Sequence, residues 1–192
     1  MISDAMLTQE YFDTMNSLEV DLAGKRSARA YMDQSTAIVH HRVVGTSIIP
    51  RLYNNEVWER FRFISETIHA ILCKVIERYR SDESYRAVFD YDPRLVELIL
   101  LPRGYDAILP FARVDIFLNE DTLESAFCEL NGDGSAGLNE DREIVHSIEG
   151  SETFTHFAAH HQLESCELFK SWISEFIAIY ETFKNKVAHP RF

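Results

Sequence analysis

The chain has 192 residues, 46% of them hydrophobic and 12% aromatic, enough apolar mass for one domain with a substantial core and too much for a disordered chain. A formal net charge of −12 argues against the basic face that nucleic acid or an anionic membrane surface requires. No apolar run is long enough for a transmembrane helix, and the start MISDAMLTQEYFD is too acidic for a signal peptide. The scattered Cys73, Cys128 and Cys166 suit reduced thiols, so a cytoplasmic protein is expected.

Residues 5–33 have an irregular helical pattern, with Gly24 expected to end one helix and start another. Residues 35–50 are β-rich, punctuated by Gly45 and Pro50. The clearest helix follows. Trp58, Phe61, Ile64, Ile68, Leu72, Val75 and Tyr79 recur at steps of three and four, with Asn54 or Asn55 as its cap. A second helix over DPRLVELIL starts with Pro93 in its first turn, where a missing N–H costs nothing. A last stripe runs from Leu168 through Trp172 and Phe176 to Phe183. Both aromatic stripes are read as core.

Between these helices the period changes to two. Ala112, Val114, Ile116 and Leu118 alternate with Arg113 and Asp115. In the next run Ala126, Cys128 and Leu130 face one way, Glu129 and Asn131 the other. The polar NEDT between the runs suits a hairpin loop closing around Asp121–Thr122. Asp115 then comes opposite or nearly opposite Glu129, with Arg113 and Asn131 on that face. Facing carboxylates repel unless positive charge lies between them. Arg113 supplies some. A divalent cation would supply more, since Asp, Glu and an Asn carbonyl are hard oxygen donors of the kind magnesium takes beside substrate phosphates. An arginine there would contact a phosphate rather than a carboxylate. The glycines of NGDGSAG allow positive φ or close approach to a ligand. The spacing equally suits a solvent-facing hairpin whose charges keep it soluble, and leaves both readings open.

Other constellations carry less. Asn131, Asp133 and Ser135 open like a calcium loop, but Ala136 and Arg142 stand where an EF-hand needs Gly and Glu. His40–His41 and His160–His161 are adjacent pairs, which on a strand point to opposite faces and cannot share an ion. Period two puts Cys128 on the apolar face, where a thiol is inert. Glu140 and Arg142, after the glycine loop, could line the same site or serve only as helix charges.

The segment ARVDIFLNEDTLESAFCELNGDGSAGLNEDREI resembles the magnesium-binding segment of the circularly permuted ATP-grasp ligases, in the glutathionylspermidine synthase-like group. That group has an Arg-x-Asp strand, a strand ending Glu-x-Asn, and a loop of small residues. IPRLYNNEVWERF, YDPRLVELILLPRGY and CELFKSWISEFIAIYETF are similar to its helical front part, so the resemblance covers about residue 35 to the end. It implies an α+β fold, helix-rich around a small antiparallel sheet. It implies that Asp115, Glu129 and Asn131 hold Mg²⁺ at the phosphates of ATP, and that Arg113 is catalytic, stabilising the phosphoryl group in transfer. The implied reaction is ATP-dependent ligation of a small-molecule carboxylate to an amine. The group's later lysine-bearing strands have no counterpart after Gly137, where Lys170, Lys184 and Lys186 read as surface charge. Residues 1–192 are therefore expected to be a single incomplete domain, inactive without a C-terminal ATP-grasp lobe or partner chain. The other expectation is a non-catalytic binding or interaction module that kept the hairpin.

Overall fold

The computed structural model describes residues 3–132, 137–166 and 168–190. They form an α+β protein, rich in helix, with two separate two-stranded antiparallel sheets. Two compact units result. One is Met1–Glu59 with Leu118–Ala126 and Ala136–Ser171; the other is Arg60–Phe117 with Phe127–Ser135 and Trp172–Phe192. Among the described residues, no helix is long and apolar enough to cross a membrane.

The first unit holds most of the buried apolar side chains. Ser3 caps α1 (Asp4–Ser17) by accepting from the Met6 N–H at 3.3 Å. Tyr11 and Met15 point inward, and Tyr11 meets Phe157 edge-on at 5.2 Å. The Tyr11 hydroxyl donates to the Ile48 carbonyl at 2.7 Å, and burial pushes its pKa up to about 12. The chain then breaks at Glu19–Asp21, where three successive non-glycine residues have positive φ (53°, 63° and 42°). The expected break at Gly24 is thus corrected. Gly24 lies inside α2 (Leu22–Met32), and what it provides is space. A Cβ there would come within 2.6 Å of the Asp21 carboxylate, which caps α2 by accepting from the Gly24 N–H at 2.8 Å.

A hairpin of β1 (Ile38–Val39) and β2 (Arg42–Val43) follows, pairing Val39 with Arg42. His40 and His41 are its two turn residues, with φ of 49° and 63°. The expectation of strand histidines facing opposite ways is corrected on that ground. Asn54 caps α3 (Asn55–Ser81) through the Glu56 and Val57 N–H groups. After the hairpin discussed below come α6 (Leu138–Glu149) and α7 (Glu152–Ala158), the latter capped by Ser151. Ala28 and Met32 of α2 are buried where α2 packs on α6.

The second unit is built on the rest of α3, a short α4 (Glu83–Arg86), α5 (Pro93–Leu100) and most of α8 (Leu168–Glu181). Asp92 caps α5 and Pro93 fills its first position, as expected. The Arg80 guanidinium donates to the Ile99, Leu100 and Leu101 carbonyls, satisfying acceptors that the end of α5 leaves open. Phe111 packs against Trp172 (5.4 Å), which stacks on Phe176 (5.6 Å). The aromatic stripes are less buried than read. Ile64 and Tyr79 are core, but Trp58 is exposed, and no described residue of α5 or α8 is fully buried. Periodicity shows which side of a helix is apolar, not how much of it a neighbour covers.

Candidate functional site

The site residues of the sequence reading lie on β3 (Arg113–Leu118) and β4 (Ser125–Asn131), which are hydrogen-bonded neighbours in one hairpin. The NEDT loop forms as expected. Asn119 Oδ1 accepts from the Asp121 and Thr122 N–H groups at 3.0 Å each, an Asx-type turn. The Leu123 N–H donates to the Asn119 carbonyl (2.8 Å), and the Asn119 N–H donates to the Glu124 carbonyl (2.9 Å). Leu123 takes φ of 58° to permit this.

Arg113 and Asp115, two residues apart on β3, form a forked ion pair. Nε is 2.8 Å from Oδ1 and Nη2 is 3.3 Å from Oδ2. The fork is the arrangement the pair takes without ligand. Residues at i and i+2 share a strand face, and opposite charges there are within side-chain reach. The hydrogen bond that Arg113 donates to Asp115 first, then the Asp115 charge and the Glu129 charge, raise the Arg113 pKa above the ordinary value. Glu129 on β4 thus acts on the same guanidinium from the neighbouring strand. Both members of the fork remain open to solvent, with side chains 44% and 39% exposed.

Asn131 ends β4 half-buried, and its Nδ2 is a buried donor with no hydrogen-bond partner among the described residues. Gly132 follows, and a Cβ there would meet the Leu109 side chain at 4.0 Å. Gly137 closes the loop with φ of 106° as it enters α6, the positive φ anticipated for these glycines. The calcium-loop residues Asp133, Ser135 and Ala136 lie outside the described residues.

The apolar face assigned to β4 is corrected. Ala126, Cys128 and Leu130 are exposed, as are Phe117 and Phe127, so Cys128 is a solvent-accessible thiol rather than an inert buried one. Alternation sorts side chains onto two faces but supplies nothing to cover either.

Arg142 is engaged within the first unit. It donates to Glu143 Oε1 from Nη2 (2.7 Å) and Nε (3.1 Å), and lies 4.9 Å over the Phe169 ring. Glu143 is buried and also accepts from the Tyr31 hydroxyl at 2.9 Å. Burial pushes its pKa up, but the Tyr31 and Arg142 hydrogen bonds and the Arg142 charge outweigh that and hold it below the ordinary value. This clamp escaped the sequence reading because Tyr31 and Glu143 are 112 residues apart. His161 is likewise satisfied, with Nε2 2.7 Å from Glu10 Oε1 and its ring stacked on Phe157.

No family model, curated protein or solved structure matches the chain.

Proposed function

We propose that the β3–β4 hairpin is the metal- and phosphate-binding element of an ATP-dependent carboxylate–amine ligase of the ATP-grasp, glutathionylspermidine synthase-like kind. The observation that carries this reading is the solvent-open Arg113–Asp115 fork on β3, with Glu129 and Asn131 on the neighbouring strand β4. Donor chemistry suits Mg²⁺, since Asp115, Glu129 and the Asn131 amide oxygen are all hard oxygen ligands. The stranded Asn131 Nδ2 donor suits a phosphate oxygen as its acceptor. Mg²⁺ with ATP would supply an activated phosphoryl group to a substrate carboxylate. Asp115, Glu129 and the Asn131 amide oxygen would hold the cation, and Arg113 would neutralise charge that builds on the phosphoryl oxygens.

A second reading, a binding or interaction module that keeps the hairpin without ATP chemistry, is favoured by the exposed Phe117 and Phe127 on the same two strands.

The experiment that separates them follows side-chain resonances while Mn²⁺, which takes the same oxygen donors, is added with ATP. The ligase reading expects Asp115, Glu129 and Asn131 to broaden together, and Asp115→Asn or Glu129→Gln to abolish the effect with the fold intact. Broadening scattered over the acidic surface, or unchanged by Glu129→Gln, would refute the metal role.

A further inference from the structure

Three consecutive left-handed residues, none of them glycine, join α1 to α2 in the first unit. Glu19, Val20 and Asp21 have φ of 53°, 63° and 42°, and a β-branched residue such as Val20 is among the least suited to that region. No proline lies between Asp4 and Met32, so the same residues would be free of this strain in one continuous helix. A tertiary contact holds the break instead, Asp21 Oδ2 accepting from the Thr153 N–H and hydroxyl. The break lets α1 turn back, so that Met15 shares a core cluster with Ala28 of α2 and with Ile48. The rest of the seat of α1 is equally specific. Tyr11 lies on Phe157 and donates to the Ile48 carbonyl, Asp4 Oδ1 accepts from the Asn54 N–H at 2.8 Å, and Glu10 pairs with His161. All of these residues belong to the first unit.

We propose that this break is the hinge of a domain swap, in which α1 of one copy seats on a second copy of the same chain. Opening the hinge lets residues 4–32 run as one helix and relieves the strain. Met15 and Ala28 then lie about 20 Å apart along its axis and cannot touch within one chain. A second copy is the partner that restores the contact, because it offers the identical seat that its own α1 has left: Ala28, Ile48, Asn54, Phe157 and His161. The strain is relieved in both chains, and the buried contacts of α1 are exchanged rather than lost. The Asp21–Thr153 contact and the cost of bringing two chains together oppose the opening, so the swapped pair gains with concentration. Val20 and Leu22, 51% and 55% exposed in the closed chain, stand where the two continuous helices cross.

The test uses the full chain with Cys73, Cys128 and Cys166 replaced by Ser, prepared as two populations, one with Glu10→Cys and the other with His161→Cys. The two are unfolded in urea, mixed and refolded together at high concentration, and monomer and dimer are separated by size with light scattering. Glu10 and His161 are neighbours across the seat of α1, so a short bis-maleimide should link one chain to the other in the dimer and not in the monomer. A second arm keeps the native cysteines, reduced, and measures the dimerisation constant by sedimentation. Val20→Gly removes the left-handed strain of the closed chain and disfavours the continuous helix, about tenfold per chain and so about a hundredfold weaker dimerisation. Asp21→Asn weakens the contact that holds the hinge closed and should strengthen dimerisation by a similar factor. Association through Phe117 and Phe127 would give no Glu10–His161 link and no response to Val20→Gly. Chains that stay monomeric after refolding at high concentration, a dimer that does not cross-link between the two populations, or a dimerisation constant unmoved by Val20→Gly would overturn the proposal.

Discussion

Asp21 ties together parts of the first unit that are far apart in sequence, and its replacement has a calculable effect. The residue is 3% exposed. Oδ1 accepts from the Gly24 N–H at 2.8 Å, and Oδ2 from the Thr153 N–H (2.9 Å) and hydroxyl (2.8 Å). Thr153 is fully buried, so water cannot replace the carboxylate there. In Asp21→Ala a lost N-cap costs about 1 kcal/mol and each of two stranded donors about 1 kcal/mol at the low end, giving about 3 kcal/mol. The φ of 42° adds to this, because Ala tolerates the left-handed region less well than Asp. Asp21→Asn keeps the shape but turns an N–H toward one set of donors, so a smaller loss, about 1–2 kcal/mol, is expected. The acid limb gives a second readout. Burial pushes the Asp21 pKa up, but the hydrogen bonds from Thr153 and Gly24 outweigh it, so the folded value lies below the ordinary one. The stabilisation is therefore present above the unfolded carboxyl value of about 3.9 and is lost as pH falls through the lower folded value. Asp21→Asn should flatten that limb, leaving the part contributed by Glu143, whose folded value is also lowered. Urea unfolding followed by circular dichroism, at neutral pH and down the acid range, measures both. A change within about 0.5 kcal/mol for Asp21→Ala, or an unaltered acid limb in Asp21→Asn, would refute the reasoning.

Gly137→Ala should destabilise by about 1–2 kcal/mol through backbone strain, since φ is 106° and no described residue lies within 4 Å of the added Cβ; thermal unfolding reads it, and an unchanged midpoint would contradict it. Phe117 and Phe127, 70% and 60% exposed, should drive concentration-dependent self-association that Phe117→Thr with Phe127→Thr reduces. Light scattering showing a monomer at every concentration for the unsubstituted chain would count against this.

What the sequence made legible was local. The stripe from Trp58 to Tyr79 and the cap at Asn54 locate α3, and NEDT locates the hairpin loop, because each depends on neighbours within a few residues. The break at Glu19–Asp21 was illegible for the opposite reason. The three positive φ values in residues other than glycine end at Asp21, whose carboxylate is held by Thr153, 132 positions away, and no local preference announces them. Gly24 misled because its missing Cβ makes room for the Asp21 carboxylate instead of ending a helix. On the hairpin, alternation gave the positions of Arg113, Asp115, Glu129 and Asn131 along their strands. It could not show that Arg113 would close on Asp115, nor that Cys128 would meet solvent, since both depend on what else approaches the sheet.

The fork has a consequence for how the proposed site would fill. A guanidinium held on both oxygens of Asp115 cannot also present its fork to a phosphate, and a carboxylate so held offers a cation fewer lone pairs. On the proposed reading, a cation at Asp115 would repel Arg113 and turn it toward a phosphate, and a phosphate at Arg113 would release Asp115 for the cation. Each ligand thus uncovers the other's donor, and the coupling between them must be equal in both directions. Because the pair is open to solvent, separating it costs little, so most of the ligands' mutual attraction is retained as cooperativity. Magnesium alone and ATP alone should both bind poorly, and each should raise the affinity for the other by the same factor. Asp115→Asn should reduce that factor. Arg113→Lys should shrink it, since an ammonium keeps the charge but cannot make the two-pronged contact. Independent binding of the two ligands, with affinities that do not depend on one another, would show that the fork is only a surface ion pair.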